Sequence, residues 1–524
     1  MRSPNMYRHS IHNDHETNLR DDSEKTQLDV ITAANKQGLQ GAEDVFVDEE
    51  SHQIQYKTLT WQVSEQKYTQ GSASPESLVT ELNHSYFLRG IQCIHPQFVS
   101  LLMISEIVSN GMLSLPNAVA VVVGIVPSAI LTVFLGVFGL FTAKLLIDFK
   151  GNHPEVHNMG DAGYILFGPV GREVLSLGTI IFAICGTGSE LLSGQQALSA
   201  LSNQGLCTIY LVLIFSIATF LLALPRTLDR FSWLALLSAA LITVAGVVAM
   251  VGAGVNPIPG RIINATVPTT FYQAFLAITG PVFAYAGKWQ FFILISEMRH
   301  PEDAMKSAWV LQVFCTTFYV IFSIVVYIYI GSTVQSPALL SLPPIWAKAS
   351  FGIALANFLF AGALYSHTAA KLVFVRLFRH SRHVYSHTIL GWVVWVSLCF
   401  AAVAVAFILA VAVPIFSYLI GIAAALFASW YTYGLAGFFW LYDAYYPHGG
   451  ARALRTRWIG TTLAVLTIVA GAFICVAGTY VSVEVRSLLR ILLWDSVLIT
   501  GHFRNMQLIV VAYRSDIVER PFTC

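Results

Sequence analysis

The sequence predicts an all-α polytopic membrane protein of about eleven transmembrane helices, built as two inverted repeats of five spans with one span added. Three observations predict it. Of the 524 residues, 56% are hydrophobic and only 11% charged, against about 25% charged in soluble domains. Apolar stretches of about 20 residues, the length that crosses a hydrocarbon core about 30 Å thick, recur about eleven times. Helix breakers stand mid-span in the first and the sixth of these stretches, five spans apart, which is the spacing of paired inverted repeats.

In chain order, residues 1–97 read as a cytosolic, mostly disordered region, rich in Asp, Glu, Lys, Gln and Ser with few apolar clusters. Its lysines Lys25, Lys36, Lys57 and Lys67 are candidate sites for regulatory, ubiquitin-type modification. The first repeat occupies 98–255, with spans at 98–122, 125–147, 173–202, 207–225 and 231–254. The second occupies 256–441, with spans at 268–294, 307–330, 349–375, 388–412 and 414–440. An eleventh span, 458–481, lies in 442–484, and 485–524 is a C-terminal tail.

Basic residues sort by loop. One set of loops carries Lys150, Arg172, Arg226, Arg230, Arg299, Lys306, Arg376, Arg379, Arg382, Arg452, Arg455 and Arg457; the other holds little beyond Arg261 and Lys348. The positive-inside rule then makes the N-terminus cytosolic. The sequon "NAT" at Asn264, a candidate glycosylation site, falls on the outer side in the same scheme. A formal net charge of +1 gives no basic field for nucleic acid. The seven cysteines show no paired spacing that would mark a metal site or a disulfide framework. No cofactor motif, nucleophile–base pair or phosphate loop is legible, so an enzyme is not expected. The N-terminus also lacks the apolar core of a signal peptide.

"SEIVSNGMLSLPNA" (105–118) puts Glu106, Asn110, Gly111 and Pro116 inside the first span, and "AITGPVFAYAGKWQFF" puts Thr279-Gly280-Pro281 and Ala286-Gly287 inside the sixth. Unwound backbone survives in a membrane only where it lines a protein-buried cavity. The half-helix ends would offer bare amides to a carboxylate and bare carbonyls to an ammonium. Two interrupted helices therefore predict a carrier for a small zwitterion. An intramembrane carboxylate is costly unless neutral or paired, which makes Glu106 and Glu190 candidate proton carriers.

"ISEIVSNGMLSLPNA", "FAYAGKWQFFILISEMRHPEDAMKSA", "GALYSHTAAKLVFVRLFR" and the upstream "DVFVDEESHQIQYKTLTWQ" resemble the corresponding stretches of the fungal amino acid/auxin permease family, close to its neutral amino acid permeases. The resemblance covers most of 43–62, 98–484 and 508–524. It implies a leucine-transporter-like fold and proton-driven uptake of neutral or aromatic amino acids across the plasma membrane, with a vacuolar membrane as the alternative. By this resemblance the backbone at Ser109, Asn110, Gly111, Leu113 and Ser114 should hold the substrate carboxylate. The stretch Thr279, Gly280, Phe283 and Ala284 should face its ammonium, with Phe283 and Tyr285 walling the side-chain pocket. Glu106, Glu190, His367 and Lys288 are the proton-coupling candidates. Glu190 stands where the family commonly has a histidine, and Lys288 where it has histidine or glutamine; Lys288 is expected to pair with one of the two acids or to face a vestibule. Ser366 and Thr368 lie where sodium-coupled relatives ligate the ion.

Two stretches interrupt the family pattern. Residues 63–97 and 485–507 each begin with Val and end with Gln, the translation of a phase-zero intron running from GT to CAG, and both read as retained introns. The competing readings of function are an uncoupled facilitator or exchanger and an amino acid receptor without net transport.

Overall fold

A computed structural model describes residues 96–482 except 123, 204, 227–230, 269, 299, 379–380, 382, 384–386, 413–415 and 447–449. The predicted disordered region with Lys25, Lys36, Lys57 and Lys67, nearly all of 63–97, and the tail with 485–507 lie outside the described residues.

The described chain is helical, with no strand among the described residues. Its elements are α1 (Pro96–Val122), α2 (Ile125–Asn152), α3 (Met159–Leu201), α4 (Thr208–Ala223) and α5 (Phe231–Val255). Then come α6a (Phe271–Ala284) and α6b (Phe291–Glu297), joined through a short 3-10 turn at Lys288–Gln290. They are followed by α7 (Ala304–Ile330), α8 (Pro344–Leu377) and α9 (Ile389–Ala412). The tenth helical rod, α10, runs from Phe416–Ala423 through a π-helical stretch, Ala424–Gly434, into Leu435–Tyr445; α11 is Trp458–Ser482. Among the described residues nine helices are long and apolar enough to cross a membrane. The other two predicted spans are filled by the 16-residue apolar helix α4 and by the broken pair α6a–α6b. A short helix, 159–167, precedes the third span, and the Asn158 side chain caps it by accepting from Gly160 N and Asp161 N. Gly168 (φ 69°) is non-helical and separates it from the helix that forms the span, which runs from Pro169 to Leu201, a few residues ahead of the expected 173.

Helices five apart in sequence pack on each other: α1 on α6a, α2 on α7, α3 on α8 and α4 on α9. Two repeats related by a two-fold axis in the membrane plane produce such pairs. α11 packs outside them on α10, where small residues let the backbones close: a methyl on Gly471 would lie 2.6 Å from Gly434 Cα, and one on Gly437 2.3 Å from Ala464 O. Large apolar side chains point outward, as at Ile389 (85% exposed) and Trp233 (72%), the arrangement expected of a surface solvated by lipid tails.

Hydrogen bonds sort the connections into two sets. His153 reaches Asp443, His157 reaches Ser296, and Arg226 reaches the His383 carbonyl. At the other end Ile125 N bonds the Asn264 carbonyl, Ser332 N the Ile262 carbonyl, and Asn117 the Val334 carbonyl. Lys150, Arg226 and Arg376 belong with the first set, Arg261 and Lys348 with the second, as the loop charges predict.

Candidate functional site

α1 does not break where the sequence suggested. It is one helix from Pro96 to Val122, with Pro116 inside it. Proline denies the Met112 carbonyl its usual donor, yet the helix holds because its neighbours close around it. The small residues serve approach rather than unwinding. A methyl on Gly111 would stand 2.8 Å from Ala284 Cα, and one on Gly280 3.2 Å from Ser114 Oγ, so Gly111 and Ser114 cross Gly280 and Ala284 in direct contact. Ser114 Oγ turns back to the Gly111 carbonyl at 3.0 Å.

The sixth span does break, a few residues later than Thr279-Gly280-Pro281: α6a ends at Ala284 and Tyr285–Gly287 are non-helical. Gly287 has φ 121°, a conformation L side chains rarely adopt, and a methyl there would meet the Ile107 side chain at 2.8 Å. The carbonyls freed by the break find partners. Phe283 O accepts from Ala286 N at 2.8 Å and Gly287 O from Gln290 N at 3.0 Å. Tyr285 O accepts from Lys288 Nζ at 3.2 Å. The Tyr319 hydroxyl lies 2.8 Å from Ala284 O and 2.9 Å from Ile107 O of α1, placed to donate to either. A hydroxyl carries one proton, so it serves one of these two buried carbonyls at a time.

Both predicted acids are buried, Glu106 at 3% exposure and Glu190 at 1%. Glu106 accepts from Gln290 Nε2 of the turn after the break and is reached by Tyr365 of α8. Ser109, one turn along α1, donates to Glu190 Oε2 at 2.9 Å. Asn110 is spoken for by α3: its Nδ2 donates to Ser189 Oγ at 2.9 Å, and its Oδ1 accepts from Ser193 Oγ at 2.6 Å. Of the expected carboxylate-binding residues, Ser109 and Asn110 thus face α3 side chains, while Gly111 and Ser114 face α6a.

Phe283 meets Phe182 of α3 edge-on, with centroids 6.5 Å apart. The Tyr285 hydroxyl is committed to Thr132 O (3.0 Å) and Thr316 Oγ1 (3.2 Å), toward α2 and α7. Lys288 pairs with neither acid in this conformation: its Nζ is bonded to Tyr285 O on the α2 and α7 side of the break. His367 lies away from both acids, edge-on to Trp395 at 5.2 Å and beside the main chain of Pro225 and Arg226. Ser366 and Thr368 each bond a carbonyl of their own helix, Ala363 O at 3.1 Å and Leu364 O at 2.9 Å. Among the described residues no His, Cys, Asp or Glu cluster has metal-ligand geometry.

Sequence reasoning missed Tyr319, Gln290 and Tyr365. Gln290 was within reach, a polar residue two positions past Lys288 in a quoted motif. Tyr319 and Tyr365 sit in aromatic-rich spans where nothing in the pattern separates a polar tip from core packing.

The family described as transmembrane amino acid transporter protein matches residues 97–484. An "N amino acid transport system protein" of Neurospora crassa is 29% identical over 396 residues, 74% of this chain and 83% of that protein. A "transmembrane transporter" of Gibberella moniliformis is 29% identical over 71% of this chain and 79% of its own. A Na+-coupled sialic acid symporter of known structure superposes with a TM-score of 0.51 at 12% identity, covering 76% of this chain and 91% of that one, which shows a shared fold of the leucine-transporter-like class.

Proposed function

Given that the chain belongs to the transmembrane amino acid transporter family, we propose that it is a proton-coupled symporter of neutral or aromatic amino acids, working by alternating access in the plasma membrane. The observation that carries the reading is the pair of main-chain oxygens, Ile107 O and Ala284 O, converging on one Tyr319 hydroxyl. One O–H cannot satisfy both; an ammonium, with three N–H donors, can. In this reading the substrate's ammonium displaces the tyrosine. Its carboxylate is taken up by main-chain amides freed as α1 opens at Asn110–Gly111.

Coupling follows from adjacency. Glu190 is bonded to Ser109, beside that opening, and Glu106 to Gln290, beside the break in the sixth span. Glu106 touches three elements, α1, the turn after the break and α8. A proton on Glu106 converts an acceptor for Gln290 into a group that also donates, and so changes how α6b is held. Glu106 is therefore the carrier and Glu190 its neighbour at the substrate; His367 and Lys288 stand apart from that route.

Uptake of labelled amino acids, in cells lacking their own permeases, tests this with a substrate panel and a pH series. Acidifying the outside is expected to drive accumulation in the wild type. Glu106→Gln is expected to reduce that accumulation about tenfold, a coupling free energy of ordinary size, while exchange of substrate across the membrane persists. Uptake that ignores external pH in the wild type rejects proton coupling and leaves a facilitator. Substrate binding without flux makes it a receptor.

A further inference from the structure

Two groups reach the Glu106 carboxyl, the Gln290 side-chain amide and the Tyr365 hydroxyl. They are not equivalent. Gln290 Nε2 can only donate, whereas a phenol oxygen gives one hydrogen and also accepts. As a carboxylate, Glu106 accepts from both. Once protonated it carries a hydrogen of its own, and a buried donor without a partner is costly. Tyr365 can accept that hydrogen where it stands, while Gln290 would have to turn its amide end for end.

The packing of α3 on α8 ties this tyrosine to the second acid. Its buried ring lies against Gly186 of α3, where a methyl would sit 2.9 Å from Tyr365 Cδ1 and 3.0 Å from Cε1. Glu190 stands one turn further along α3. Its Cβ would lie 3.3 Å from a methyl on Gly362, three residues before Tyr365 on α8. Glycines on both helices thus let Glu190 and Tyr365 approach, and Glu106, Glu190 and Tyr365 lie within electrostatic reach of one another. The other polar groups facing this cluster are Ser109, which donates to Glu190, and the Tyr319 hydroxyl. Lys288 bonds Tyr285 O on the α2 and α7 side of the break and pairs with neither acid.

We propose that Tyr365 is a positioning residue that couples the two acids: it donates to Glu106 as a carboxylate, and when Glu106 takes up a proton it accepts instead and turns its own hydrogen toward Glu190. The tyrosine O–H bond does not break; the proton stays on Glu106 and only the hydroxyl reorients. Glu190 then shares its oxygens between Tyr365 and Ser109. Because Ser109 adjoins the proposed opening at Asn110–Gly111, a proton on Glu106 is felt where the substrate's carboxylate is taken up. The inference rests on the proton-coupled reading of the same site.

The test is uptake of labelled amino acid by the full-length protein over a series of external pH values, in the wild type, Tyr365→Phe, Glu106→Gln and the double variant. Phenylalanine keeps the ring against Gly186 and removes only the hydroxyl. Acidifying the outside is expected to lower the wild-type KM about tenfold and that of Tyr365→Phe less than about twofold. In the Glu106→Gln background Tyr365→Phe is expected to change nothing further, because the two residues act as a unit; a merely structural tyrosine would cost the same in both backgrounds. A 3-fluorotyrosine placed at position 365 has nearly the same shape but is a stronger donor and a weaker acceptor. It is expected to move the midpoint of the pH dependence to lower pH, and it decides alone if Tyr365→Phe does not fold. The proposal is overturned if Tyr365→Phe keeps the wild-type pH dependence, if its effect is undiminished in the Glu106→Gln background, or if fluorination leaves the midpoint in place. A wild type whose uptake ignores external pH rejects proton coupling itself, and this inference with it.

Discussion

The Tyr319 hydroxyl sits where the proposed function puts the substrate's ammonium. Its oxygen lies between Ile107 O of α1 and Ala284 O at the end of α6a, where the helix stops and the Ala284 carbonyl loses its place in the ladder. Leaving a buried acceptor unsatisfied costs about 1–3 kcal/mol. Tyr319→Phe is therefore expected to destabilise the substrate-free protein by roughly that amount. Added substrate should restore more stability to the variant than to the wild type, because the ammonium then meets carbonyls that no hydroxyl competes for. Thermal unfolding with and without amino acid reads both effects; equal substrate-induced shifts in the two proteins would remove Tyr319 from the site. Nothing in the local pattern singles out this residue, since a tyrosine in "FCTTFYVIF" reads equally well as core.

At the scale of elements, glycine and proline mark two different things in the two symmetric positions. In α1, Gly111 lets α6a approach and the helix continues; after α6a, Gly287 takes a positive φ and the helix stops. Composition alone cannot separate these outcomes, because both need a residue without a side chain. A second element-scale feature lies at the basic end of the bundle. His153, just past α2, contacts Asp443 of α10 at 2.8 Å and Glu155 at 3.3 Å, and its ring packs on Phe149 and Tyr442. The hydrogen bond to Asp443 is the largest influence on its pKa and, with the help of Glu155, lifts it above the ordinary histidine value despite partial burial, which lowers it. A histidine whose folded pKa is raised contributes its stability in full below the unfolded pKa and loses it as pH rises through the folded value. The tie between α2 and α10 is thus expected to weaken as the adjoining compartment turns alkaline. Asp443→Asn should flatten the dependence of the thermal transition on pH between about 6 and 8; an unchanged profile would show that the pair is not linked to folding.

For the whole molecule, the pairing of helices five apart in sequence is the observation that organises the fold. It places α1 against α6a and α3 against α8, so that Glu106 and Glu190 come from one repeat while Gln290 and Tyr365, which meet Glu106, come from the other. Alternating access by one repeat moving against the other would change those contacts first. Orientation follows from charge: the connections with Lys150, Arg226 and Arg376 are expected to face the cytosol, and the strap holding Asn264 to face outward. Asn264 is half-buried, with its carbonyl bonded to Ile125 N at the start of α2. Loss of a glycosidase-sensitive mobility shift in Asn264→Gln checks this orientation, and attachment of sugar to a sequon engineered beside Arg226 would reverse it.

Membrane residence, the span positions, the loop polarity and the two buried acids were legible in the sequence, because hydrophobic length and charge sorting are properties of short stretches that lipid reads directly. The motif resemblance supplied the family, and the match over 97–484 bears it out. Only the tertiary structure decided which of two glycine-bearing spans breaks, which hydroxyl reaches the carbonyl freed at Ala284, and that Lys288 turns away from both acids. Each of those outcomes is a competition among partners far apart in sequence, such as Tyr319 with Ile107 and Ala284 or Gly111 with Ala284. A chain's local pattern cannot record a contest whose contestants meet only after folding.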